Sequence, residues 1–184
     1  MKIAIWVILV SLLLGCSAED KNLDRAMELR AELLAHGCSF DAEITADYGD
    51  KLHTFALSCE ADPMGNLGFT VKAPETVAGI SGTIAADGGK LRFEDTVLAF
   101  PLLADGQVTP ISAPWLLLKT LQGGYLTSAG MDGESLRLTI HDSYEADALQ
   151  LDIWLDQENH PIRADILYDG RRILAISIIN FQIL

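Results

Sequence analysis

Residues 39–47 read Ser-Phe-Asp-Ala-Glu-Ile-Thr-Ala-Asp and carry the strongest strand signal in the chain. Apolar side chains take every second position from Phe40 to Ala46, and polar side chains take the positions between them. Strict alternation of this kind is typical of a β-strand with one buried and one solvated face. Residues 51–60 show a similar pattern after a turn at Tyr48-Gly49-Asp50-Lys51. The sequence therefore predicts an antiparallel hairpin here.

Further strands are predicted on both sides of one internal helix. Those before the helix are Leu67–Ala73, which Pro74 ends, Val77–Ala85 and Lys90–Glu94 around an Asp87-Gly88-Gly89 turn, and an extended segment over Asp95–Leu103. Those after the helix are Glu134–His141, Ala148–Asp156, Ile162–Tyr168 and Arg171–Ile183. The connections are too short for the crossovers that parallel strands need, so the predicted sheet is antiparallel.

Two helices are predicted. The first covers Glu19–His36 and stops at Gly37, with one apolar face made of Leu23, Ala26, Met27, Leu33 and Leu34. The second covers Ser112–Gln122, with Ser112 as N-cap, Pro114 in the first turn and Gly123-Gly124 as its stop. It is apolar around most of its circumference, through Trp115, Leu116, Leu117, Leu118 and Leu121. We therefore expect it to be buried or to cover an apolar surface.

The predicted fold class is α+β. A strongly curved antiparallel sheet is expected to have its concave apolar face covered by the N-terminal helix and the one internal helix. Neither a repeat nor a low-complexity segment divides the chain, so a single domain over residues 22–184 is expected.

Residues 1–15 have the pattern of a secretory signal peptide. Lys2 precedes a run of twelve residues, 3–14, that only Ser11 interrupts. A helix of that length rises about 18 Å, too little to cross a hydrocarbon core of about 30 Å. Leu13-Leu14-Gly15-Cys16 resembles the bacterial lipobox, in which the cysteine thiol receives diacylglycerol, the preceding peptide is removed and the new amine is acylated. The alternative is an uncleaved N-terminal anchor with an incidental cysteine.

The lipobox predicts lipidation at Cys16 and a lipidated tether over residues 16–21. Two or three acyl chains are enough for stable anchoring. The expected location is extracytoplasmic, on the outer face of the cell membrane in a Gram-positive organism or on the periplasmic side of the outer membrane in a Gram-negative one.

Charge excludes one class of partner. Without residues 1–15 the chain carries 12 basic against 26 acidic side chains, a formal net charge of −14. Nucleic-acid binding depends on neutralising phosphates, so no nucleic-acid partner is expected. The same charge disfavours a broad electrostatic contact with anionic headgroups.

Cys38 and Cys59 flank the first hairpin. If Tyr48 opposes Lys51, Cys38 lies opposite position 61 and Cys59 lies opposite Phe40, so the two cysteines are diagonal neighbours. One bulge would bring them opposite each other. In an oxidising compartment a disulfide worth about 3 kcal/mol is favoured over the alternative of two buried free thiols.

No catalytic constellation stands out, and a non-enzyme without cofactor or metal is predicted. The four histidines are scattered and form no zinc motif. The stretch Gly79-Ile80-Ser81-Gly82 lacks the GxSxG spacing, and Asp87-Gly88-Gly89-Lys90 lacks the remaining positions of a P-loop. Asp132-Gly133-Glu134 is better explained as a turn than as a calcium loop.

The apolar surface offers a binding hypothesis instead. Candidates for lining a hydrophobic cavity between sheet and helix are Phe55, Phe69, Phe93, Trp115, Leu118 and Trp154. The alternative is an ordinary packed core, which has the same binary pattern.

Several stretches carry a resemblance to a known family. They are the lipobox, the first helix leading into 38–44, the turn 48–50, the stretches 71–75 and 77–80, the helix 112–122, the turn 160–164 into a strand, and 179–181. In their order they resemble the LolA/LolB-like superfamily of lipoprotein carriers, and the small lipid-anchored members from anaerobic Gram-positive bacteria in particular. The resemblance implies an incomplete antiparallel barrel that is closed by helices and sequesters acyl chains.

The expected function is therefore a membrane-anchored extracytoplasmic lipoprotein that binds a lipophilic ligand, a lipid or lipoprotein acyl chains, without catalysis. The alternative is a cell-envelope structural or interaction lipoprotein with a filled core and no ligand. The expected partners are the membrane, through the N-terminal lipid, a lipid or acyl-chain ligand, and an envelope protein.

Overall fold

The computed structural model of the chain describes residues 21–47, 52–93, 96–100, 103–104, 107–145 and 148–184, without the side chains of residues 93, 103, 104 and 107. Residues 21–35 form helix α1. The first six strands are β1 Cys38–Asp47, β2 Leu52–Ala61, β3 Leu67–Ala73, β4 Ser81–Ala85, β5 Gly88–Phe93 and β6 Thr96–Phe100. The short hairpin β7 Leu103–Ala104 and β8 Gln107–Val108 leads into helix α2, Ala113–Gly123. The last five strands are β9 Tyr125–Asp132, β10 Ser135–His141, β11 Gln150–Leu155, β12 Pro161–Tyr168 and β13 Arg171–Ile183.

Eleven of these strands form one antiparallel sheet in the order β6-β5-β4-β3-β2-β1-β13-β12-β11-β10-β9. The N-terminal strand β1 and the C-terminal strand β13 pair at its centre. Strands β6 and β9 are the two edges, and the chain passes from one edge to the other through β7, β8 and α2. The predicted combination of an open antiparallel sheet with two helices is confirmed.

The first hairpin has the predicted register. Cys38 pairs with Ala61 and Phe40 with Cys59, without a bulge along β1 and β2. The turn itself, residues 48–51, lies outside the described residues. Local alternation together with the turn position is enough to define this pairing.

One face of the sheet, called the inner face below, carries the core. Along strands such as β1 its buried side chains, Phe40, Ala42, Ile44 and Ala46, alternate with half-buried or exposed ones. Helix α1 adds Ala26, Leu29 and Leu33 to the same cluster of buried side chains, and α2 adds most of its residues. Both helices therefore pack on the inner face.

The predicted apolar face of α1 is wrong in part. Ala26 and Leu33 are buried, as is Leu29, but Leu23, Met27 and Leu34 are exposed. The buried positions follow a narrow i, i+3, i+7 stripe, and the other three lie outside it.

Three further predictions differ from the structure. Val77–Ala85 is not a continuous strand, because Glu75–Val77 forms a 3₁₀ turn and Gly79 takes a φ of 87°, so β4 begins only at Ser81. Ser112 does not cap α2 with its side chain, since it continues a 3₁₀ turn over Pro110–Ser112. Strand β9 is absent from the prediction, because Tyr125–Asp132 has no apolar alternation.

Among the described residues, no helix has the length and the hydropathy that a membrane-spanning helix requires. Cys16 and the predicted signal peptide lie outside these residues.

Candidate functional site

Helix α2 covers part of the inner face. It packs against β10 and β13, and Gly124, which follows the helix, sits beside Ile140. Trp115, Leu117 and Leu118 are 6%, 1% and 2% exposed, although Trp115 and Leu117 point to opposite sides of the helix. The apolar circumference predicted from the sequence is thus buried nearly all round.

The two helices meet through polar contacts of Arg30 and Gln122, and Trp115 binds α2 to the β2–β3 turn. We call these three side chains and their backbone acceptors the helix junction. Arg30 Nε donates to the carbonyl oxygen of Leu121 at 2.7 Å, and its Nη2 donates to that of Gly124 at 2.9 Å. A helix leaves its last four carbonyls without partners inside the helix, so Arg30 caps the C-terminus of α2. Burial lowers the pKa of the Arg30 guanidinium, which still remains charged at neutral pH.

Gln122, on α2, donates a hydrogen bond back to α1. Its Nε2 donates to the carbonyl oxygen of Leu33, in the last turn of α1, at 3.0 Å. Its Oε1 lies against Gly65 in the β2–β3 turn, so closely that a Cβ on that residue would stand 2.9 Å away. Gly65 also has a φ of 79°. This position therefore favours glycine for two reasons, its positive φ and the contact with Gln122.

Trp115 fixes the N-terminal part of α2 to the same turn. Its indole Nε1 donates to the carbonyl oxygen of Gly65 at 3.0 Å, and Lys119 Nζ lies 5.3 Å from the ring centroid. A buried indole N–H needs such an acceptor. Helix α2 is thus held by three side chains that donate to backbone carbonyls.

The predicted cavity residues on the inner face are packed. Phe69 is buried with its ring against Gly82, and Phe55 is half-buried opposite Ile44. The side chain of Phe93 lies outside the described residues. A void large enough for an acyl chain would leave accessible surface on the side chains that line it. Trp115, Leu118 and Phe69 have almost no accessible surface. Beside these three side chains the space between α2 and the sheet is therefore closed.

The prediction that Trp154 lines this cavity is wrong. Leu151, Ile153 and Leu155 point to the inner face, so alternation places Trp154 on the opposite, outer face. Its Nε1 donates to Asp132 Oδ2 at 2.8 Å. The guanidinium carbons of Arg137 and Arg163 lie 5.3 Å and 4.4 Å from its ring centroid.

Two buried carboxylates hold these arginines in place. Asp152 accepts from Arg137 Nη2 at 2.6 Å and also from Thr139 and Gln150. Asp165, its register partner on β12, accepts from Arg163 Nη2 at 2.6 Å. The group forms a charged ladder on the outer face.

Cys38 and Cys59 are free thiols in the structure, and both are buried. No bulge between β1 and β2 brings them opposite each other, so they are diagonal neighbours, as the predicted register implies. Diagonal positions are about 7–8 Å apart, beyond the usual Cα separation of a disulfide. Burial raises the pKa of Cys38 to about 12 and raises that of Cys59 as well.

A trough of about 820 Å³ lies over one end of β1 to β4, and its lining includes Phe69 but not Phe55, Trp115, Leu118 or Trp154 of the predicted cavity. The side chains that line it include Ser39, Ser58, Glu60, Thr70 and Thr83, with Gly68 between them. These positions alternate with buried ones, which places them on the outer face.

Among the described residues, no group of three or more His, Cys, Asp or Glu side chains is placed to hold a metal ion.

Sequence reasoning misses the helix junction. In the sequence, Arg30 is one of several polar residues of α1, and Gln122 is the last residue before a glycine stop. A weak signal exists, since Arg30 sits one residue after buried Leu29, at the border of the apolar stripe. The acceptors are backbone carbonyls about 90 residues away, which no side-chain pattern encodes.

The comparisons with known proteins give a likeness in structure only. No family model and no curated protein matches the sequence. Among solved structures, an uncharacterized conserved protein from Thermus thermophilus is 12% identical, with a TM-score of 0.48, over 91% of this chain and 88% of that one. The lipoprotein LppX from Mycobacterium tuberculosis is 11% identical, with a TM-score of 0.44, over 90% and 95%.

A LolA superfamily protein from Nitrosomonas europaea is 10% identical, with a TM-score of 0.47, over 90% of this chain and 93% of that one. These values describe a general likeness in chain path and assign no function. A LolA superfamily structure is thus among those that this chain is similar to.

Proposed function

We propose that this chain is a lipid-anchored extracytoplasmic protein that receives an acyl chain between α2 and the inner face of the sheet. The helix junction is the observation that carries the proposal. An apolar helix lies on an apolar sheet face and is fastened by Arg30, Gln122 and Trp115, which donate to backbone carbonyls. In this arrangement α2 is a cover in its closed position, and its displacement would uncover an apolar groove.

Support for the anchor comes from the sequence. Leu13-Leu14-Gly15-Cys16 has the lipobox pattern, and residues 17–20, Ser-Ala-Glu-Asp, separate Cys16 from Lys21. Replacing Cys16 with alanine is expected to abolish incorporation of a labelled fatty acid in cells. Persistent labelling would contradict lipidation at this residue.

Acyl-chain binding is tested on residues 17–184 by native mass spectrometry, together with lipid extraction and titration with an apolar fluorescent probe. We expect a co-purifying or exchangeable lipid. Trp115→Ala is expected to weaken lipid binding, because it removes buried apolar surface of α2 that the acyl chain would contact.

The junction itself is tested by Arg30→Ala. Loss of the two hydrogen bonds to Leu121 and Gly124 should loosen α2 and increase probe binding. Arg25→Ala is the matched control, because Arg25 lies on the same helix and donates to Asn159 and Asp156 in the β11–β12 turn, away from α2. Equal probe binding in both variants would contradict a cover held by Arg30.

A second candidate is an envelope interaction module with a filled core and no ligand. The low exposure of Trp115, Leu118 and Phe69 favours it. Absence of any exchangeable lipid, together with no probe binding even by Arg30→Ala, would establish this candidate over the first. In that case Trp115→Ala should mainly lower stability, by about 3–5 kcal/mol.

A further inference from the structure

Helix α1 has a second apolar stripe that no element of the described structure covers. Leu23, Met27 and Leu34 are 45%, 44% and 53% exposed, and exposed Ala31 lies between the last two. At 100° per residue these four positions fall within one quadrant of the helix, beside the buried stripe of Ala26, Leu29 and Leu33. Three exposed large apolar side chains in one row on a single helix indicate a contact surface.

The position of α1 in the chain limits what this surface can meet. Cys16 precedes Lys21, where the described helix begins, by five residues. Five extended residues span at most about 18 Å, so a lipidated Cys16 keeps the start of α1 within that distance of the bilayer surface. The intervening residues 17–20, Ser-Ala-Glu-Asp, offer no large apolar side chain that could cover the stripe.

We infer that the outer stripe of α1, formed by Leu23, Met27, Ala31 and Leu34, lies on the surface of the membrane that holds the lipid anchor. The inference rests on the anchoring part of the proposed function. An amphipathic helix that lies in the interface with its apolar side chains among the headgroups is a known membrane-binding mode. Here the helix has two apolar stripes, one for its own domain and one for the bilayer.

The charges around the stripe define the kind of membrane contact. Asp24, Glu28 and Glu32 form an exposed acidic row on the next side of the helix. The contact is therefore apolar rather than electrostatic, and anionic lipid does not strengthen it. Arg30 lies between Met27 and Leu34 along the helix, so the contact holds the helix junction next to the bilayer, where an acyl chain would be taken up.

The experiment uses the lipidated full-length product, reconstituted in vesicles of phosphatidylcholine, with and without phosphatidylglycerol. A fluorophore is attached to single cysteines introduced as Met27→Cys and Leu34→Cys, and a nitroxide-bearing lipid serves as quencher. Native Cys38 and Cys59 are buried and do not compete for the label. Glu32→Cys on the acidic row and Met131→Cys, an exposed methionine on β9, are the matched controls.

We expect labels at positions 27 and 34 to lose most of their fluorescence in both kinds of vesicle, while those at 32 and 131 keep it. Equal quenching at all four positions, or quenching at none, would overturn the inference. A protein partner on the stripe predicts the second of these results, because the vesicles contain no other protein.

Vesicle flotation distinguishes a failure of this inference from a failure of the proposed lipid anchor. Failure to float would refute the anchor and with it the membrane contact. Flotation without quenching at 27 and 34 would refute the contact alone and leave the anchor standing. Lipid binding under α2 is measured on its own and decides neither result.

Discussion

At the scale of single residues, Cys38 and Cys59 link the protein's stability to alkaline pH. In the native state their thiols stay protonated to a higher pH than usual, since burial raises the pKa of Cys38 to about 12 and raises that of Cys59 too. In the unfolded chain they ionise near the ordinary value of 9.0. The unfolded state then binds fewer protons, so the stabilisation is complete below about pH 9 and is lost as pH rises toward the native values.

We therefore expect the free energy of unfolding to fall between about pH 9 and pH 12, by up to about 1.4 kcal/mol per pH unit for each thiol. Denaturant titrations at several pH values measure it, and the Cys38→Ala/Cys59→Ala variant should show a shallower dependence. Unfolded protein of residues 17–184, which has Cys38 and Cys59 but lacks Cys16, should also react with two equivalents of a thiol reagent without prior reduction. An identical pH dependence in the double variant, or no reactive thiol, would contradict buried free cysteines.

Asp152 is the best-connected side chain of the outer face. It is buried and accepts hydrogen bonds from Arg137, Thr139 and Gln150. Asp152→Ala leaves these donors without their acceptor and should lower the free energy of unfolding by about 1–3 kcal/mol. Thermal and denaturant unfolding measure this change.

Asp132→Ala is the control for that experiment, because Asp132 accepts from Trp154 at an exposed site. Its effect should stay below about 1 kcal/mol. If both variants lower the free energy of unfolding by the same amount, the buried carboxylate of Asp152 contributes no more to stability than an exposed one.

At the scale of elements, Gly82 and Gly130 lie on different strands and differ in the space around them. Comparing their substitutions distinguishes the effect of backbone crowding from that of strand propensity. A Cβ on Gly82 of β4 would stand 2.4 Å from the carbonyl oxygen of Lys90 and 2.7 Å from the ring of Phe69. A Cβ on Gly130 of β9 would meet nothing within 4 Å. The absence of a side chain at Gly82 thus allows the ring of Phe69 and strand β5 to pack close to β4. No neighbouring group among the described residues requires a glycine at position 130.

Gly82→Ala should lower the free energy of unfolding by about 1–3 kcal/mol, because strand β5 or the ring of Phe69 must move. Gly130→Ala should leave it unchanged or raise it by at most about 1 kcal/mol, since alanine restricts the unfolded chain. Matched unfolding curves of the two variants check this pair. A neutral Gly82→Ala would mean that β4 and β5 adjust without cost.

The elements also show how far the sequence predicts the structure. Strands with one buried face, such as β1 and β10, are predicted within a residue or two, because burial imposes alternation. Strand β9 is missed because it is an edge strand with no alternating burial. For α1 the sequence predicts a broad apolar face, but it cannot distinguish the stripe that meets the sheet from Leu23, Met27 and Leu34, which do not.

At the scale of the whole molecule, the first and last strands meet at the centre of the sheet. Cys38 pairs with Ile183 and Ala46 with Leu174, across almost the full length of the described chain. Alternation predicts that β1 and β13 are strands but not that they are neighbours, since any half-buried strand offers a suitable face. Long-range pairing of this kind is associated with slow folding, in milliseconds to seconds.

Central pairing makes the C-terminal strand indispensable for the domain. Strand β13 is hydrogen-bonded on one side to β1 and on the other to β12, and it supplies Leu174, Ile176, Ile178 and Phe181 to the core. Losing even one large core side chain typically costs about 2–5 kcal/mol, and the total stability of a domain is about 5–15 kcal/mol. The remaining strands would form two separate sheets, each with a new exposed edge in the middle of the core.

A chain that ends at Gly170 should therefore fail to fold, with no cooperative thermal transition by circular dichroism and poor dispersion of its amide resonances. A chain that lacks only Leu184, which is exposed, is the control and should unfold like the full chain. A cooperative transition in the chain that ends at Gly170 would show that β1–β6 or β9–β12 is stable alone. The half of the sheet that survives would then be the one to test for lipid binding, because α2 packs against β10 as well as β13.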